Sequence, residues 1–591
     1  MERSINYFAA AFKGNVSVWL LLLIGLSTRL PFLSVSLDEV DSGNFYNALR
    51  YGYDITNFRP HAPGYPLYIF LVWLFNYVIR DYLTTLTLLS ALLGSFSVIP
   101  FYFLLKQIVG HRVAMCGSLL FLANPLFWVF SETALADVPA VFFGMWSVWL
   151  MFKGVTNQNY YMAACLITGL AIGIRQANIT LGLLLLLGSV YFCFNVKRLA
   201  IKPISWGIVF FTIGILAWFF PMVAIGSDGL AEYFEVTRQQ WISVVSVSDA
   251  SNVEGPWIIN IFYRIERFFI GYHFLYSWTG SDTKSAMTLV LVAPWLFGFF
   301  AFISTFKVRD RTHLFILVWV LLSFYPILSI HFLPRYGLLY FPAFLISALI
   351  GFHQVFLRIG DLRSGIEVGI FSMLGTVLIL HVIKHQPPVN TFEVTPPLTD
   401  FYVAILIFLS LVTVVICRWR GKTVREDVIK TEIEAVWTPR TGRQNFRLRC
   451  LTISLLVMVV AYGAVGTMQV TLAHSDPSPS EKLVSLVENN YRGEDFTVCW
   501  DNQTHSLFDA SDSYGMRLIG SDGIQDLYDS YQNGDVLLMS DRCQWSDELD
   551  AEFDVREVAS FHGRSPLWAK VPSITLYESK KNFRPKVHGT H

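Results

Sequence analysis

Long apolar runs separated by short polar segments set the pattern of this 591-residue chain. A helix that crosses a bilayer core of about 30 Å needs roughly 17–25 apolar residues. Runs that reach or approach that length fall at 16–35, 83–105, 113–130, 138–152, 160–174, 178–195, 204–226, 287–305, 313–331, 336–356, 366–383, 401–417 and 450–472. They predict about thirteen transmembrane helices. A further apolar stretch, 67–79, is short for a crossing and is placed at the outer interface or as a re-entrant piece. From about His474 the pattern turns polar. There 481–491 reads as an amphipathic helix, 524–532 as another, and 495–500, 535–541 and 573–579 as strands. The expected architecture is a polytopic α-helical membrane protein with a small extracytoplasmic α/β domain. The membrane part is 1–473, with outer loops 36–82 and 227–286, and the soluble part is 474–591.

Basic residues orient the spans, because short inside loops carry an excess of Lys and Arg. With the N-terminus inside, alternate loops hold Lys106 and Arg112, Lys153, Lys197 with Arg198 and Lys202, Lys307 with Arg309 and Arg311, and Arg358 with Arg363. The loop from Arg418 to Arg449 alone holds nine basic residues. Counting 67–79 as a crossing would break this series. The opposite loops carry Asp38, Glu39, Asp41, Asp54, Glu132 and Asp137.

Composition agrees with the pattern: 54% of residues are hydrophobic, 15% are charged, and the formal net charge is zero. Nothing global points to nucleic acid. The first apolar run is followed by Arg29-Leu30-Pro31 with no small-residue cleavage site, so it reads as a retained helix rather than a cleaved signal. The cysteines show no metal-type spacing. Cys116, Cys165, Cys193, Cys417 and Cys450 lie in or beside apolar runs and read as packing. Cys499 and Cys543 lie in the polar part and are expected to form a disulfide across neighbouring strand ends.

Candidate chemistry collects on the outer face. The first outer loop contains DEVDSGNF (38–45) and HAPGYPLY (61–68), so Asp38, Glu39 and Asp41 follow directly on an apolar helix. A carboxylate buried there is costly unless it is paired or used; the plain alternative is a solvated helix end. Asp137 opens a later span and alone reads as a helix N-cap. Cations on the same face are Arg59 and His61 in the first loop, Arg175 in the turn 173–178, and Arg335 beside Tyr336 in PRYGLLYFPA (334–343). Each arginine alone can snorkel toward headgroups. Together they suit a phosphate, which a guanidinium grips by two hydrogen bonds.

The DEVDSGNF run resembles the Asp-Glu motif of the protein O-mannosyltransferases and their relatives. HAPGYPLY is similar to their Pro-rich motif, ALADVPA (134–140) to an aspartate motif opening a helix, and PRYGLLYFPA to a late Arg-Tyr motif. In this order they resemble the GT-C superfamily of polyprenyl-phosphate-sugar glycosyltransferases. The helix count and outer C-terminal domain are similar to the bacterial aminoarabinose transferase of lipid A. That enzyme has a lysine in the Pro-rich motif, where this chain has His61 or Arg59. Asp41 competes with Asp38 for the base, since Asp-Ser-Gly resembles a signature of the mannosyltransferase branch.

The resemblance implies a hexosyl- or pentosyltransferase, a multi-pass integral membrane protein with its active site and C-terminal domain extracytoplasmic, in the inner or plasma membrane if the cell is prokaryotic. Its donor is a polyprenyl-phosphate sugar and its acceptor a protein, lipid or glycan hydroxyl; membrane lipids surround it and transfer inverts the anomeric carbon. Asp38, Glu39 and Asp137 are the expected catalytic residues; Asp41, Arg59, His61, Arg175, Arg335 and Tyr336 bind substrate. No cofactor is certain. A divalent ion, Mg or Mn, would sit at Asp38 and Asp137. The competing class is a transporter or lipid flippase, which places ionisable residues and broken helices near the midplane. Here the charges lie at the membrane faces and no repeated half is evident. A membrane scaffold, the third reading, leaves the outer carboxylates and arginines without a use.

Overall fold

The helices follow the apolar runs and break where the side chains dictate. The computed structural model of the chain describes residues 16–37, 39–155, 157–195, 201–251, 286–306, 310–323, 334–339, 341–358, 477–490, 496–499, 517–518, 536–540, 555–562 and 573–579. The expected spans 366–383, 401–417 and 450–472, the helix 524–532, Asp38 and Cys543 lie outside the described residues. The order begins α1 (Val16–Arg29), α2 (Val40–Tyr51), α3 (Pro66–Ile79), α4 (Tyr82–Phe96), α5 (Val98–Val109), α6 (His111–Leu122), α7 (Pro125–Phe130), α8 (Asp137–Gly154) and α9 (Gln158–Ile174). It continues with α10 (Ile179–Asn195), α11 (Ile201–Gly226), α12 (Leu230–Ser251), α13 (Ala286–Thr305), α14 (Arg311–Ser323), α15 (Phe341–Arg358) and α16 (Pro479–Asn490).

Local chemistry explains the boundaries. Asp81 caps α4, its carboxylate accepting from the Thr84 N–H at 2.8 Å. The run 113–130 is two helices rather than one, because Asn124 accepts from the Phe127 N–H at 3.0 Å and Pro125 opens a new first turn. The run 336–356 starts later than expected. A 3-10 turn occupies Pro334–Leu339 and α15 begins at Phe341, with Pro342 in its first turn. The loop read as 227–286 contains α12, whose mixed charged and apolar residues hid its period. The helix α3 has 14 residues, about 21 Å at 1.5 Å per residue, too short for a 30 Å core. Its Tyr68, Ile69 and Val72 are buried, while Phe70, Trp73, Leu74, Tyr77 and Val78 are exposed.

The helices pack closely: α9 lies against α8 and α11, and α13 against α15. Between α9 and α11 a Cβ on Gly169 would stand 2.6 Å from the Phe211 carbonyl and 3.0 Å from the Gly214 Cα, so small residues set the spacing, as in membrane bundles. Phe101, Phe121 and Phe127 fill the interior, Phe101 stacking on Phe121 at 4.5 Å. Outward, α11 presents exposed Trp206, Ile208, Ile213, Phe220 and Ile225. Among the described residues, Tyr82–Val109 and Pro203–Gly226 are long and apolar enough to cross a membrane, and only 22% of the apolar window of the second is buried. Lipid is the solvent such a face suits.

Two polar networks fix the segment between α1 and α2. Arg29, fully buried at the end of α1, donates to the Leu122 carbonyl at 2.6 Å and lies over the Phe127 and Trp128 rings. Trp128 donates to the Glu132 carboxylate at 2.9 Å, and the Glu132 carbonyl accepts from the Ser34 N–H at 2.9 Å. On the other side, Glu481 of α16 and Ser478 just before it reach the same segment.

The described residues after α16 form a five-stranded sheet: β1 (Phe496–Cys499), β2 (Arg517–Leu518), β3 (Val536–Ser540), β4 (Val555–His562) and β5 (Ser573–Ser579) in the order β2-β1-β3-β5-β4. The strand β1 is parallel to β2 and β3, while β5 runs antiparallel to β3 and β4. Neither β2 nor β4 was anticipated from the sequence. Cys499 pairs in register with Met539 of β3, four residues before Cys543.

The loop that carries His61 turns at Gly64, whose φ of +109° favours glycine. A Cβ there would meet the Tyr53 hydroxyl at 2.6 Å, Ile55 at 3.0 Å and the Met222 sulfur at 3.0 Å. We predict that Gly64→Ala destabilises the protein by about 1–3 kcal/mol, read as a lowered thermal midpoint in detergent. An unchanged midpoint would mean that the loop relaxes freely.

Candidate functional site

Five segments bring charge to one place. Asp41 sits in the first turn of α2, His61 in the loop before α3, Asp137 at the start of α8, Arg175 just after α9, and Arg335 with Tyr336 in the 3-10 turn before α15. The sequence places all of them on one face, and the structure brings them into contact.

Arg335 donates to Asp41 Oδ2 at 2.7 Å and its Nη1 lies 3.8 Å from Asp137 Oδ2. Arg175 Nη1 lies 2.8 Å from the same Asp137 oxygen, a close ion pair without hydrogen-bond alignment. Two carboxylates thus face two guanidinium groups, all but Asp41 almost fully buried; the Asp41 side chain is 15% exposed. The Tyr336 ring lies under both cations, 5.0 Å from Arg175 and 5.6 Å from Arg335. Rings in this position attract cations through their quadrupole. Among the described residues, Arg335 Nε and Nη1 and both Asp137 oxygens have no hydrogen bond of good geometry. Buried polar atoms in that state carry a penalty that a ligand can relieve.

His61 extends the cluster. Its Nδ1 is 3.6 Å from Asp41 Oδ1 and 3.4 Å from Asn44 Nδ2, and its Nε2 is 3.3 Å from the Tyr65 hydroxyl. Burial, opposed by Asp41 and aided by Arg335 and Arg175, holds the ring below its ordinary range. Burial works against charge on Asp41, yet Arg335, then His61 and Arg175, hold its carboxyl well below the usual range. Burial likewise disfavours charge on Arg335 and Arg175. Asp41 with Glu39 and Asp137 raises the first, and Asp137 with neighbouring tyrosines raises the second.

The remaining candidates divide. Glu39 is the N-cap residue of α2, its carbonyl accepting from the Ser42 N–H at 2.9 Å, and its charge acts on Arg335. Asp137 is the first residue of α8 and makes no capping bond, so the N-cap reading is corrected: its carboxylate faces the arginines instead. Arg59 does not join the cluster among the described residues. Its backbone pairs with Asp54 and its guanidinium rests 5.4 Å from the Tyr51 ring. Asn44 and Tyr65 were missed as site residues. The spacing of Asp41 and Asn44, three apart on one helix, is the signal that marks Asn44.

A metal needs several converging ligands. No group of three or more His, Cys, Asp or Glu side chains converges among the described residues, and Asp41 and Asp137 are each matched by a guanidinium. Asp38, one of the two residues expected to hold a divalent ion, lies outside the described residues.

The chain superposes on ArnT from Cupriavidus metallidurans bound to undecaprenyl phosphate with a TM-score of 0.50, at 14% identity, covering 97% of each chain. It is also similar to the Archaeoglobus fulgidus oligosaccharyltransferase, at 13% identity and a TM-score of 0.42, with 84% of this chain and 64% of that one covered. With the mycobacterial arabinofuranosyltransferase AftD the figures are 11% and 0.39, over 96% of this chain and 41% of that one. The likeness to ArnT shows a shared fold. More narrowly, residues 60–224 match the family of dolichyl-phosphate-mannose-protein mannosyltransferases, and the resemblance to polyprenyl-phosphate-sugar glycosyltransferases read from the motifs is borne out. No curated protein matches the sequence.

The cluster predicts its own pH behaviour. A carboxyl depressed in the folded state contributes stability that is fully present above about pH 4, its unfolded value, and lost as pH falls further. Asp41→Asn should remove that acid-side loss. It should also cost about 3–5 kcal/mol at neutral pH, because buried Arg335 keeps only the longer contact with Asp137. Thermal unfolding from pH 7 to pH 3 reads both; wild-type stability in the variant would mean the pair is not a buried one in solution.

Proposed function

We propose that this protein is a membrane glycosyltransferase that moves a hexosyl or pentosyl group from a polyprenyl-phosphate donor to an acceptor hydroxyl at the outer, extracytoplasmic face. The observation that carries the reading is the pair of buried guanidinium groups, Arg175 and Arg335, with donor atoms of Arg335 unused among the described residues. A phosphodiester anion at the end of a lipid is the ligand such a pair suits. That ArnT is seen with undecaprenyl phosphate supports the same class of donor.

In the proposed step the acceptor oxygen attacks the anomeric carbon as the bond from that carbon to the phosphate oxygen breaks. The hydroxyl proton passes to a carboxylate, and the lipid phosphate leaves with the electron pair. A single displacement inverts the anomeric centre. Arg335 and Arg175 stabilise the charge on the departing phosphate, with His61 at its edge, where low dielectric strengthens each contact. Of the two aspartates that compete for the base, Asp38 is preferred. Asp41 already accepts from Arg335 at 2.7 Å, which lowers its proton affinity and suits it to holding that arginine. Glu39 and Asp137 orient the acceptor and the arginines. The acceptor is a protein, lipid or glycan hydroxyl.

Asp38→Asn keeps the shape and removes the base. Turnover is expected to fall about 10²–10⁴-fold with little change in the thermal midpoint. Near wild-type turnover in that variant, beside an inactive Asp41→Asn, would move the role to Asp41.

A further inference from the structure

The segment that leads into the acidic motif is held by a residue more than four hundred positions away. Glu481, in the first turn of α16, takes two hydrogen bonds from it: the Ser36 hydroxyl donates to Oε2, and the Leu37 N–H donates to Oε1 at 2.7 Å. The Ser36 oxygen in turn accepts from the Ser478 N–H at 2.9 Å, and the Ser478 hydroxyl accepts from the Glu481 N–H at 3.2 Å. Ser36 and Ser478 are buried, at 0% and 1% exposure, and Leu37 is buried beside them. This contact is therefore a built joint rather than two surfaces touching. On its other side the segment is tied to the bundle, where Ser34 N–H donates to the Glu132 carbonyl and the Ser34 hydroxyl donates to the Ser36 carbonyl at 3.1 Å.

We infer that Glu481 is a positioning residue for the acidic motif, fixing the backbone at Leu37 so that the carboxylates that follow it are presented to Arg335. The inference rests on the transferase reading above. Leu37 directly precedes Asp38 in the sequence and stands two residues before the N-cap of α2. A rotation of the chain at Leu37 would carry through Glu39 to Asp41, whose bond to Arg335 depends on where α2 begins. Glu481 does not touch the charged cluster; it acts through the backbone. A carboxylate suits the role because it accepts from a backbone N–H and a hydroxyl at once. A glutamine can do the same work, with its oxygen on Leu37 N–H and its amide donating to Ser36. An alanine leaves the Leu37 N–H buried and unmatched.

The test compares full-length Glu481→Ala, Glu481→Gln and Ser36→Ala in detergent or nanodiscs, by hydrogen exchange and by turnover with a polyprenyl-phosphate sugar. In Glu481→Ala, exchange at Leu37 should rise about tenfold or more while peptides from α8 and α9 exchange as in wild type. Turnover should fall about 10–100-fold with the KM for donor little changed, and Glu481→Gln should restore most of both. Ser36→Ala, which keeps the Leu37 bond, should fall in between and serves if Glu481→Ala does not fold. Unchanged exchange at Leu37 would overturn the joint. Raised exchange with unchanged turnover, or a Glu481→Gln as impaired as Glu481→Ala, would overturn the positioning role. A wild-type protein inactive with every donor would instead sink the transferase reading, and the exchange data would still decide whether Glu481 holds the segment.

Discussion

Charges buried at the end of a helical bundle must be matched, and that constraint organises this protein. An unpaired carboxylate or guanidinium away from water costs several kcal/mol. Asp41 and Asp137 meet this cost only because Arg175 and Arg335 reach them from other segments. The start of α2, the start of α8, the turn after α9 and the 3-10 turn before α15 are therefore tied to one another by the same four side chains. Tyr336 lies against both cations and gives the cluster an aromatic floor. The pairing is not fully satisfied, since Arg335 keeps donors without well-aligned partners among the described residues. A site of this kind is stable enough to form yet has capacity left for an anion.

A second layer supports the first. Arg29, Trp128 and Glu132 tie α1 to the α7–α8 connection, and the Glu132 carbonyl takes the Ser34 N–H. Glu481 holds Ser36 and Leu37 from the opposite side. The approach to the acidic motif is thus gripped from the bundle and from α16. In the proposed transfer, preorganisation of this sort would align the donor phosphate, the acceptor oxygen and the base within a fraction of an ångström.

Much of this was legible in the sequence, for reasons that differ from element to element. Span lengths are set by apolar runs, so α1, α8, α9, α10, α11 and α13 lie close to where the pattern puts them. Side-chain caps and prolines set the interruptions: Asn124 with Pro125 divides one run, and Pro342 delays the start of α15. That Asp41, Asp137, Arg175 and Arg335 share a face follows from loop charge; which arginine meets which aspartate depends on packing between distant helices and was not readable. Arg59 looked equivalent to His61 by position, yet it rests on Tyr51 because Asp54 pairs with its backbone. Glu481 carried no local signal at all, because its partners lie at the other end of the chain. The helix α12 was hidden by a mixed composition that satisfies neither a buried nor a polar pattern.

The central claim is that the arginine–carboxylate cluster serves transfer from a lipid-linked phosphate sugar. The direct measurement is release of polyprenyl phosphate by the purified protein in nanodiscs, supplied with a panel of polyprenyl-phosphate monosaccharides and candidate acceptors. The account predicts release coupled one to one with a glycosylated product of inverted anomeric configuration, for at least one donor. Absence of release across the panel, or a product that retains its configuration, would contradict it.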